Sequence, residues 1–476
     1  MLNWWLILLA VICSLICLAV AIYTLFYFIS EEDSEGGYFT KGLVILGMLL
    51  AMGVVLLLPL DASNARDPTV WNRYINTLNT DLMWEIVLWS LCIIALAVAP
   101  FAVFFYQAYD PENESLSKQF ASASVMTTVL LFAFGITTAV CFLTAGVAQV
   151  PVEVYASEPQ FVTDVGKISY NSTGVWEYLD VHVSFFTYVV GELCLLGWVA
   201  FFFYGGVGLV SVPVDFIYGF LTRPQPISAT TFAQEMSVIA AKGDALLEMG
   251  IALQNEARGK ISSKLRNKIR LLRIETYLLE EEQEDLIWNY KKVGGSPFVV
   301  YGGLALGIIS LCLSIAWILH IFLSNTFHVL PFLNSVITGL DDVFPLFGIV
   351  VYGIFAFYLL WVTLQGQIRV GLRFVFFQIH PMKPHDTALN SLVFNMGLLL
   401  ITTYAILQFT TCSFNGYIPR TSINALMNIY VINLKGIGFI IKWAQFLLIG
   451  MSLLGLLLVL VCPKQHVTKR PPRLNY

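Results

Sequence analysis

The chain has 476 residues, of which 58% are hydrophobic and only 12% are charged, and its net charge is -5. A soluble domain carries about 25% charged residues, so this composition and the mean hydropathy of +0.76 exclude a soluble globular protein and predict an integral membrane protein. The eight cysteines are too few for a disulfide framework in so long a chain, and most lie in apolar segments, where cysteine behaves as a small hydrophobe.

Nine stretches are long and apolar enough to cross a bilayer, which takes about 20 residues of helix. The first begins MLNWWLILL, without a basic leader or a small-residue cleavage site, so we expect it to stay on the protein as an uncleaved anchor. The sequence therefore predicts an all-α polytopic membrane protein with helices near residues 4 to 29, 41 to 60, 83 to 106, 120 to 148, 184 to 210, 298 to 323, 344 to 364, 388 to 410 and 438 to 461.

The distribution of Lys and Arg predicts the orientation, because short loops rich in these residues stay on the cytosolic side. With the N-terminus outside and the C-terminus in the cytosol, 20 of the 26 Lys and Arg residues face the cytosol. The acidic first cytosolic loop, residues 30 to 40, opposes this orientation, although carboxylates weigh little in the rule. The same topology leaves Asn171 of Asn-Ser-Thr as the usable glycosylation acceptor.

The stretch YGGVGLVSVPVDF closes the fifth predicted span. It lacks the Lys-Ser/Thr pair of a phosphate loop. We interpret Gly205, Gly206 and Gly208 as sites of close approach by neighbouring helices, Pro213 as a break in the backbone hydrogen bonding, and Asp215 as a residue at the membrane surface. The stretch therefore predicts a tightly packed helix end.

Residues 224 to 293 form the one sizeable polar segment, and we interpret them as a cytosolic helical hairpin between helices five and six. The second arm repeats apolar residues at alternating spacings of four and three, with Leu272 and Leu279 among them. It is basic from Lys264 to Arg273 and acidic from Glu275 to Asp285; a solvated face and a docking site are the two interpretations of these charges.

Ionisable residues inside the predicted spans are candidates for function. We expect Glu192, in the fifth span, to be the most buried of them, with Lys442 of the ninth span as its partner. The alternatives are that Glu192 bonds to a neighbouring backbone and that Lys442 extends outward to water. Asp61, Asp341 and neighbouring carboxylates are expected at the interface.

The sequence has no HExxH of a membrane zinc protease, no phosphate loop of an ATPase and no Gly-x-Gly-Asp partner for its Tyr109-Asp110 pair. His380 and His385 in HPMKPH are weak evidence for a metal site, and we interpret the segment as a linker. The sequence thus predicts a protein that is not an enzyme, with no cofactor, no metal site and no nucleic-acid partner.

The layout resembles the limb-region membrane protein family, which includes the lipocalin-interacting membrane receptors and the lysosomal cobalamin transport escort protein. Nine spans with a long helical loop between the fifth and sixth are similar to that family, as are YGGVGLVSVPVDFI, the LLLPLDASNA that closes the second span, and FPLFGIVVYGIFAFYLL with GQIRVGLRFVFFQIHPMKP. Val212 departs from the family pattern, where leucine precedes the proline.

The resemblance implies an escort or accessory subunit that works with an ABC transporter in a lysosomal or endosomal membrane. An endocytic plasma-membrane receptor for a secreted lipocalin-like ligand and a signalling scaffold are the alternatives, and a homodimer is a further expectation. We divide the chain into a first membrane half (1 to 223), the helical hairpin (224 to 297) and a second membrane half (298 to 476). Cys462 is a candidate for palmitoylation.

Overall fold

The computed structural model describes residues 4–30, 33, 37–65, 79–108, 116–154, 175–221, 227–256, 263–292, 297–327, 329–344, 346–374, 377–380 and 382–461. These residues form 14 α-helices and four short strands. In chain order the helices are α1 (Trp4–Phe28), α2 (Tyr38–Asn64), α3 (Thr80–Ile93), α4 (Ala99–Gln107), α5 (Leu116–Ala145), α6 (Phe185–Leu221), α7 (Ala229–Glu256), α8 (Ser263–Lys292), α9 (Pro297–His320), α10 (Phe332–Val343), α11 (Phe347–Val370), α12 (Leu389–Ser413), α13 (Ser422–Asn424) and α14 (Ile437–Val461).

Nine helical segments within the described residues are long and apolar enough to span a membrane, which confirms the predicted number. The third runs from Thr80 to Gln107 through a π-helical turn at Ile94–Val98, and the sixth extends α9 through a π-helical turn at Ile321–Thr326. The fifth span, α6, continues to Leu221, beyond residue 210 where its end was expected. Pro213 lies inside this helix and does not end it.

The described residues divide into two compact units, one built from Met1–Val212 and Cys312–Val461 and the other containing Pro213–Leu311. In the first unit the most enclosed helix is α12, in which 20 of 25 residues are buried. By contrast α5, a helix of 30 residues, buries only Ala123, Thr127 and Thr138. Other parts of the unit thus enclose α12, whereas most of α5 is left exposed, as expected for a helix at the edge of a membrane bundle.

Two strand pairs were not predicted from the sequence. Strands β1 (Val147–Val154) and β2 (Val175–His182) are antiparallel, with Val147 opposite His182 and Val154 opposite Val175. Their valines favour extended backbone, and Lys435 N donates to Val147 O at 3.0 Å, which ties β1 to the segment before α14. Strands β3 (Leu372–Phe374) and β4 (Phe377–Ile379) form a second, shorter pair between α11 and α12.

The second unit contains the predicted hairpin as two long helices, α7 and α8, which we call the helical pair. The two helices are antiparallel: Phe232 stacks on Tyr290 with ring centroids 4.2 Å apart, and further along Lys242 Nζ lies 3.0 Å from Glu282 Oε2. Between the helices Ile239, Leu253 and Leu286 are buried. The helical interpretation of this segment is confirmed.

Candidate functional site

Asp61 is fully buried near the C-terminal end of α2, two residues after Pro59. Its Oδ2 accepts a hydrogen bond from Trp84 Nε1 at 2.8 Å and another from the backbone N–H of Ile423 at 3.1 Å. A buried carboxylate requires such donors, since an unsolvated charge is costly. One aspartate therefore fixes α2 to α3 and to the short helix α13.

The surroundings of Asp61 are also polar. Thr80 Oγ1 and Ser422 Oγ are 2.9 Å apart, and Thr421 Oγ1 caps α13 by accepting from Asn424 N at 3.3 Å. Tyr352 of α11 is fully buried, and a Cβ atom at its neighbour Gly353 would lie 3.3 Å from Cγ of Pro59, two residues before Asp61. Within the described residues neither Asp61 Oδ1 nor the Tyr352 hydroxyl has a protein hydrogen-bond partner.

The C-terminus of α12 lies at the same end of the bundle and is held by side chains. The Ser413 carbonyl oxygen lies 3.1 Å from His320 Nε2 and accepts from Asn334 Nδ2 at 3.1 Å. Asn325 Nδ2 donates to the Ser413 hydroxyl at 2.8 Å. The last carbonyls of a helix have no partner within the helix, so α9, the π turn after it and α10 together satisfy the end of the most buried helix.

Aromatic rings connect these two clusters. The His320 ring stacks on Phe414 with centroids 5.7 Å apart and an interplanar angle of 13°, and Tyr352 meets the same phenylalanine edge-on at 5.3 Å. Asp61 and His320 are both 0% exposed. The site thus holds an acid, an imidazole and a tyrosine in one water-excluded region, and its observed effect is to join helices through side-chain hydrogen bonds.

The linker between α11 and α12 lies at the opposite end of the bundle and is well anchored. Asp33 Oδ2 accepts from Leu389 N at 2.8 Å, and Ser30 N donates to Thr387 O at 3.0 Å. His380 Nδ1 lies 3.1 Å from Ser391 Oγ. Burial lowers the pKa of the His380 imidazole, because desolvation penalises its charged form.

Glu192 and Lys442 do not form an ion pair. Glu192 Oε2 accepts from Thr138 Oγ1 of α5 at 2.6 Å, and the Lys442 side chain is exposed. The expectation that Glu192 is the most buried ionisable residue is wrong for the described part of the chain, because Glu192 is half-buried whereas Asp61 is 0% exposed. The turn at α13 covers Asp61 and donates to it, a contact between residues 362 positions apart that the local sequence does not show.

Two glycines of α6 lie against neighbouring helices, α14 and α11. A Cβ atom at Gly206 would stand 2.7 Å from Met451 Cβ of α14, and one at Gly208 would collide with Val362 O of α11. Gly366 of α11 faces Tyr204 O in the same way. Gly205 instead lies against Phe201 of its own helix.

Four further residues were singled out in the sequence, and the structure describes two of them. Pro213 and Asp215 lie inside α6, which continues to Leu221. Asn171 and Cys462 fall outside the described residues, as do Glu31, Glu32 and Glu35 of the acidic first loop.

The sequence analysis did not single out Trp84, His320 or Asn334 and placed Asp61 at the interface. Asp61, Trp84 and His320 carried one weak signal, since each is a polar or amphipathic side chain within or beside a predicted span, whereas Asn334 lies between two predicted spans and carried none.

Comparison with known proteins gives a consistent result. The model of the LMBR1-like membrane protein family matches residues 6–294 and 298–459. A LIMR family protein of Dictyostelium discoideum is 31% identical over 513 aligned positions, covering 98% of both chains. LIMR family proteins of Arabidopsis thaliana and of Oryza sativa subsp. japonica are 30% and 28% identical, covering 95% and 93% of each chain. No solved structure matches.

Proposed function

This chain belongs to the LMBR1-like membrane protein family, and we propose that it acts as a non-enzymatic escort or accessory subunit of a membrane transport assembly. The observation that carries this proposal is the helical pair. Its helices have 28 and 30 residues, although a handful of residues suffices to connect two spans.

The two helices of the pair pack against each other, and further apolar residues stay exposed to solvent. A Cβ atom at Gly250 would lie 3.6 Å from Leu272 Cδ2, and one at Gly243 would lie 3.8 Å from Leu279 Cδ2, so the leucine stripe meets the glycines of α7. Outside this contact Leu247, Leu271 and Leu278 are each more than half exposed. A tether would be rich in Gly and Ser, whereas a self-packed pair with exposed leucines is suited to binding a partner.

We infer the class of partner from ATP hydrolysis, for which the sequence carries no phosphate loop. An accessory subunit needs a second protein that hydrolyses ATP, and the resemblance to the cobalamin escort branch supports an ABC transporter in that role. The distribution of Lys and Arg predicts that the helical pair is in the cytosol, where the nucleotide-binding part of such a transporter lies. A lysosomal or endosomal membrane and a cobalamin-type cargo belong to the same proposal.

The test is to purify the full-length protein from its native membrane in a mild detergent and to identify the proteins that co-purify. The proposal expects an ABC transporter subunit in near-stoichiometric amount and ATPase activity in the complex. Recovery of the chain alone after gentle cross-linking, or with itself only as a dimer, would contradict it.

A receptor function is favoured by one separate feature. Strand β2 exposes Trp176, Tyr178 and Leu179, which are 67%, 74% and 55% exposed, on the side assigned to the exterior by the Lys and Arg distribution. Aromatic side chains of this kind are common in binding surfaces. Capture of a secreted lipocalin by intact cells, abolished by Trp176→Ser with Tyr178→Ser, would favour the receptor over the escort.

A further inference from the structure

Two helices of the first unit carry opposite charges on surfaces that one chain leaves uncovered. Glu192 of α6 is half-buried, and Lys442 of α14 is exposed. Within the described residues neither takes part in an ion pair, and Glu192 accepts one hydrogen bond, from Thr138 Oγ1 at 2.6 Å. Both lie in segments long and apolar enough to span a membrane, where a charge is costly unless an opposite charge or a polar group faces it.

Exposed apolar residues continue the line of each charge along its helix. Beyond Glu192, the exposed residues of α6 at spacings of four, three and four are Leu196, Val199 and Phe203. Around Lys442, the exposed residues of α14 at spacings of three, four and seven are Phe439, Phe446 and Leu453. Such spacings place residues on one side of a helix. We call these two sets, each with its charged residue, the α6 stripe and the α14 stripe.

Helices α6 and α14 are neighbours within one chain and run in the same direction. Gly191, next to Glu192, lies against Leu434, three residues before α14, and a Cβ atom at Gly206 would lie 2.7 Å from Met451 Cβ. A two-fold axis along the membrane normal beside these helices would therefore bring the α6 stripe of each copy to the α14 stripe of the other. Such an arrangement closes at two copies.

The two charges reach a similar depth in the membrane. The contacts between the helices put Lys442 between one and two helical turns beyond Glu192. Helical side chains lean toward the N-terminus of their helix, and the Lys442 ammonium group is carried on a flexible four-carbon stem, so it extends back toward the level of Glu192. Rotation about the membrane normal changes no depth, so the same match holds between two copies.

We propose that two copies of this chain associate in the membrane through these stripes, with Glu192 of each copy paired to Lys442 of the other. The pairing gives both charges a partner where water is excluded, and charges attract more strongly there than in water. The apolar residues of the stripes add the van der Waals packing that associates helices in lipid. This dimer is independent of the transport partner proposed above, which the helical pair binds.

The test measures association of the purified full-length protein in phosphatidylcholine vesicles. Copies labelled separately with a donor and an acceptor dye are reconstituted together, and energy transfer is followed as the protein-to-lipid ratio is lowered. We expect transfer that reports pairs, and particles of two copies by mass photometry after transfer to nanodiscs. Particles of one copy at every ratio would overturn the proposal.

Charge reversal tests the pairing itself. Glu192→Lys and Lys442→Glu should each weaken self-association by about 100-fold or more, because like charges then face each other across the interface. A mixture of the two variants should associate again, since each copy then presents the charge that the other needs at both positions. Glu85→Lys and Lys435→Glu, at exposed residues outside the stripes, are the matched controls and should associate like the wild type.

Two milder variants keep the test decisive if a reversed charge prevents folding. Glu192→Gln retains an oxygen for Thr138, and Lys442→Met alters an exposed residue, so both should keep the circular dichroism of the wild type and lose about 10-fold in association. The proposal is overturned if these variants associate like the wild type, or if the mixture of reversed variants associates no better than either alone. A phospholipid retained on single copies in native mass spectrometry, with no dimer, would also overturn it.

Discussion

Helix α12 and the helical pair are stabilised in opposite ways. Helix α12 is buried in the first unit, and its specific contacts come from side-chain hydrogen bonds such as those to the Ser413 carbonyl. The helical pair has abundant charges, and its two helices meet along an apolar stripe, with an exposed ion pair between Lys242 and Glu282 beside it. In lipid, apolar residues do not distinguish one neighbour from another, so polar groups and glycines do; in water the apolar residues make the distinction.

This difference predicts where single substitutions will be damaging. Loss of one polar group in the membrane core leaves its partners buried without a bond, which costs more than the bond itself contributed. Loss of one charge in the helical pair returns its partner to water at little cost.

Asp61→Ala should have the largest effect, because it leaves Trp84 Nε1 and the Ile423 N–H buried without an acceptor. We expect a loss of about 2 to 5 kcal/mol in unfolding free energy, measured as a lower apparent Tm of the detergent-solubilised protein. Asp61→Asn keeps one acceptor oxygen and should lose less. Asp342→Ala, at an exposed carboxylate, is the control; an equal loss there would remove the distinction between core and surface.

Gly208→Val tests the close approach of α6 and α11. The new side chain would collide with the Val362 carbonyl, so we expect a loss of about 1 to 3 kcal/mol or more from overpacking, seen as a lower Tm and a smaller monodisperse fraction. Gly53→Val in α2 is the matched control, since a Cβ atom there meets nothing within 4 Å. Similar results for both variants would show that glycine packing does not define this contact.

His380 gives the linker a dependence on pH. Burial lowers the pKa of His380 in the folded state below the ordinary value of about 6.5. Above that ordinary value the ring is neutral in both states and the folded protein keeps its full stability. As the pH falls below it, the unfolded state binds the proton first, so the folded protein loses stability. Between pH 7.5 and 5.5 the Tm of the wild type should therefore fall more than that of His380→Asn, and asparagine tolerates the positive φ of 51°.

His385→Asn is the control for this measurement, since His385 also has a positive φ, 57°, and its side chain is exposed. That variant should follow the wild type across the same pH range. Parallel pH profiles for the wild type and His380→Asn would contradict the prediction.

The exposed ion pair should have the smallest effect. A double-mutant cycle with Lys242→Met and Glu282→Gln is expected to give a coupling of about 0.2 to 1 kcal/mol that decreases with added salt. Circular dichroism during thermal unfolding of the full-length protein measures it. A coupling as large as the loss in Asp61→Ala would mean that the two regions are not stabilised differently.

The sequence predicts the spans and the helical pair well, because a continuous apolar run and a repeat at alternating spacings are local properties. It places the end of α6 too early, since proline after a glycine-rich run suggests a break that the packed helix tolerates. The sequence predicts Asp61 at the membrane interface, whereas this carboxylate is fully buried. Its hydrogen-bond donors, Trp84 and Ile423, are 23 and 362 positions away in the chain, so the local sequence does not show them. The strands β1 and β2 were missed because their pairing joins residues far apart in the sequence, from Val154 with Val175 to Val147 with His182.

The central claim is that the helical pair is the part that binds a partner, while the spans form the membrane body. The direct measurement compares partner recovery from native membranes by the wild type and by Leu272→Asp/Leu279→Asp, which places two charges in the half-buried stripe between α7 and α8. Gln234→Asp/Gln283→Asp adds the same charges at exposed positions and is the control. We predict that all three proteins reach the same membrane and that only the leucine variant loses the partner, by about 10-fold or more; full partner recovery with the leucine variant would contradict the claim and assign the binding to the spans.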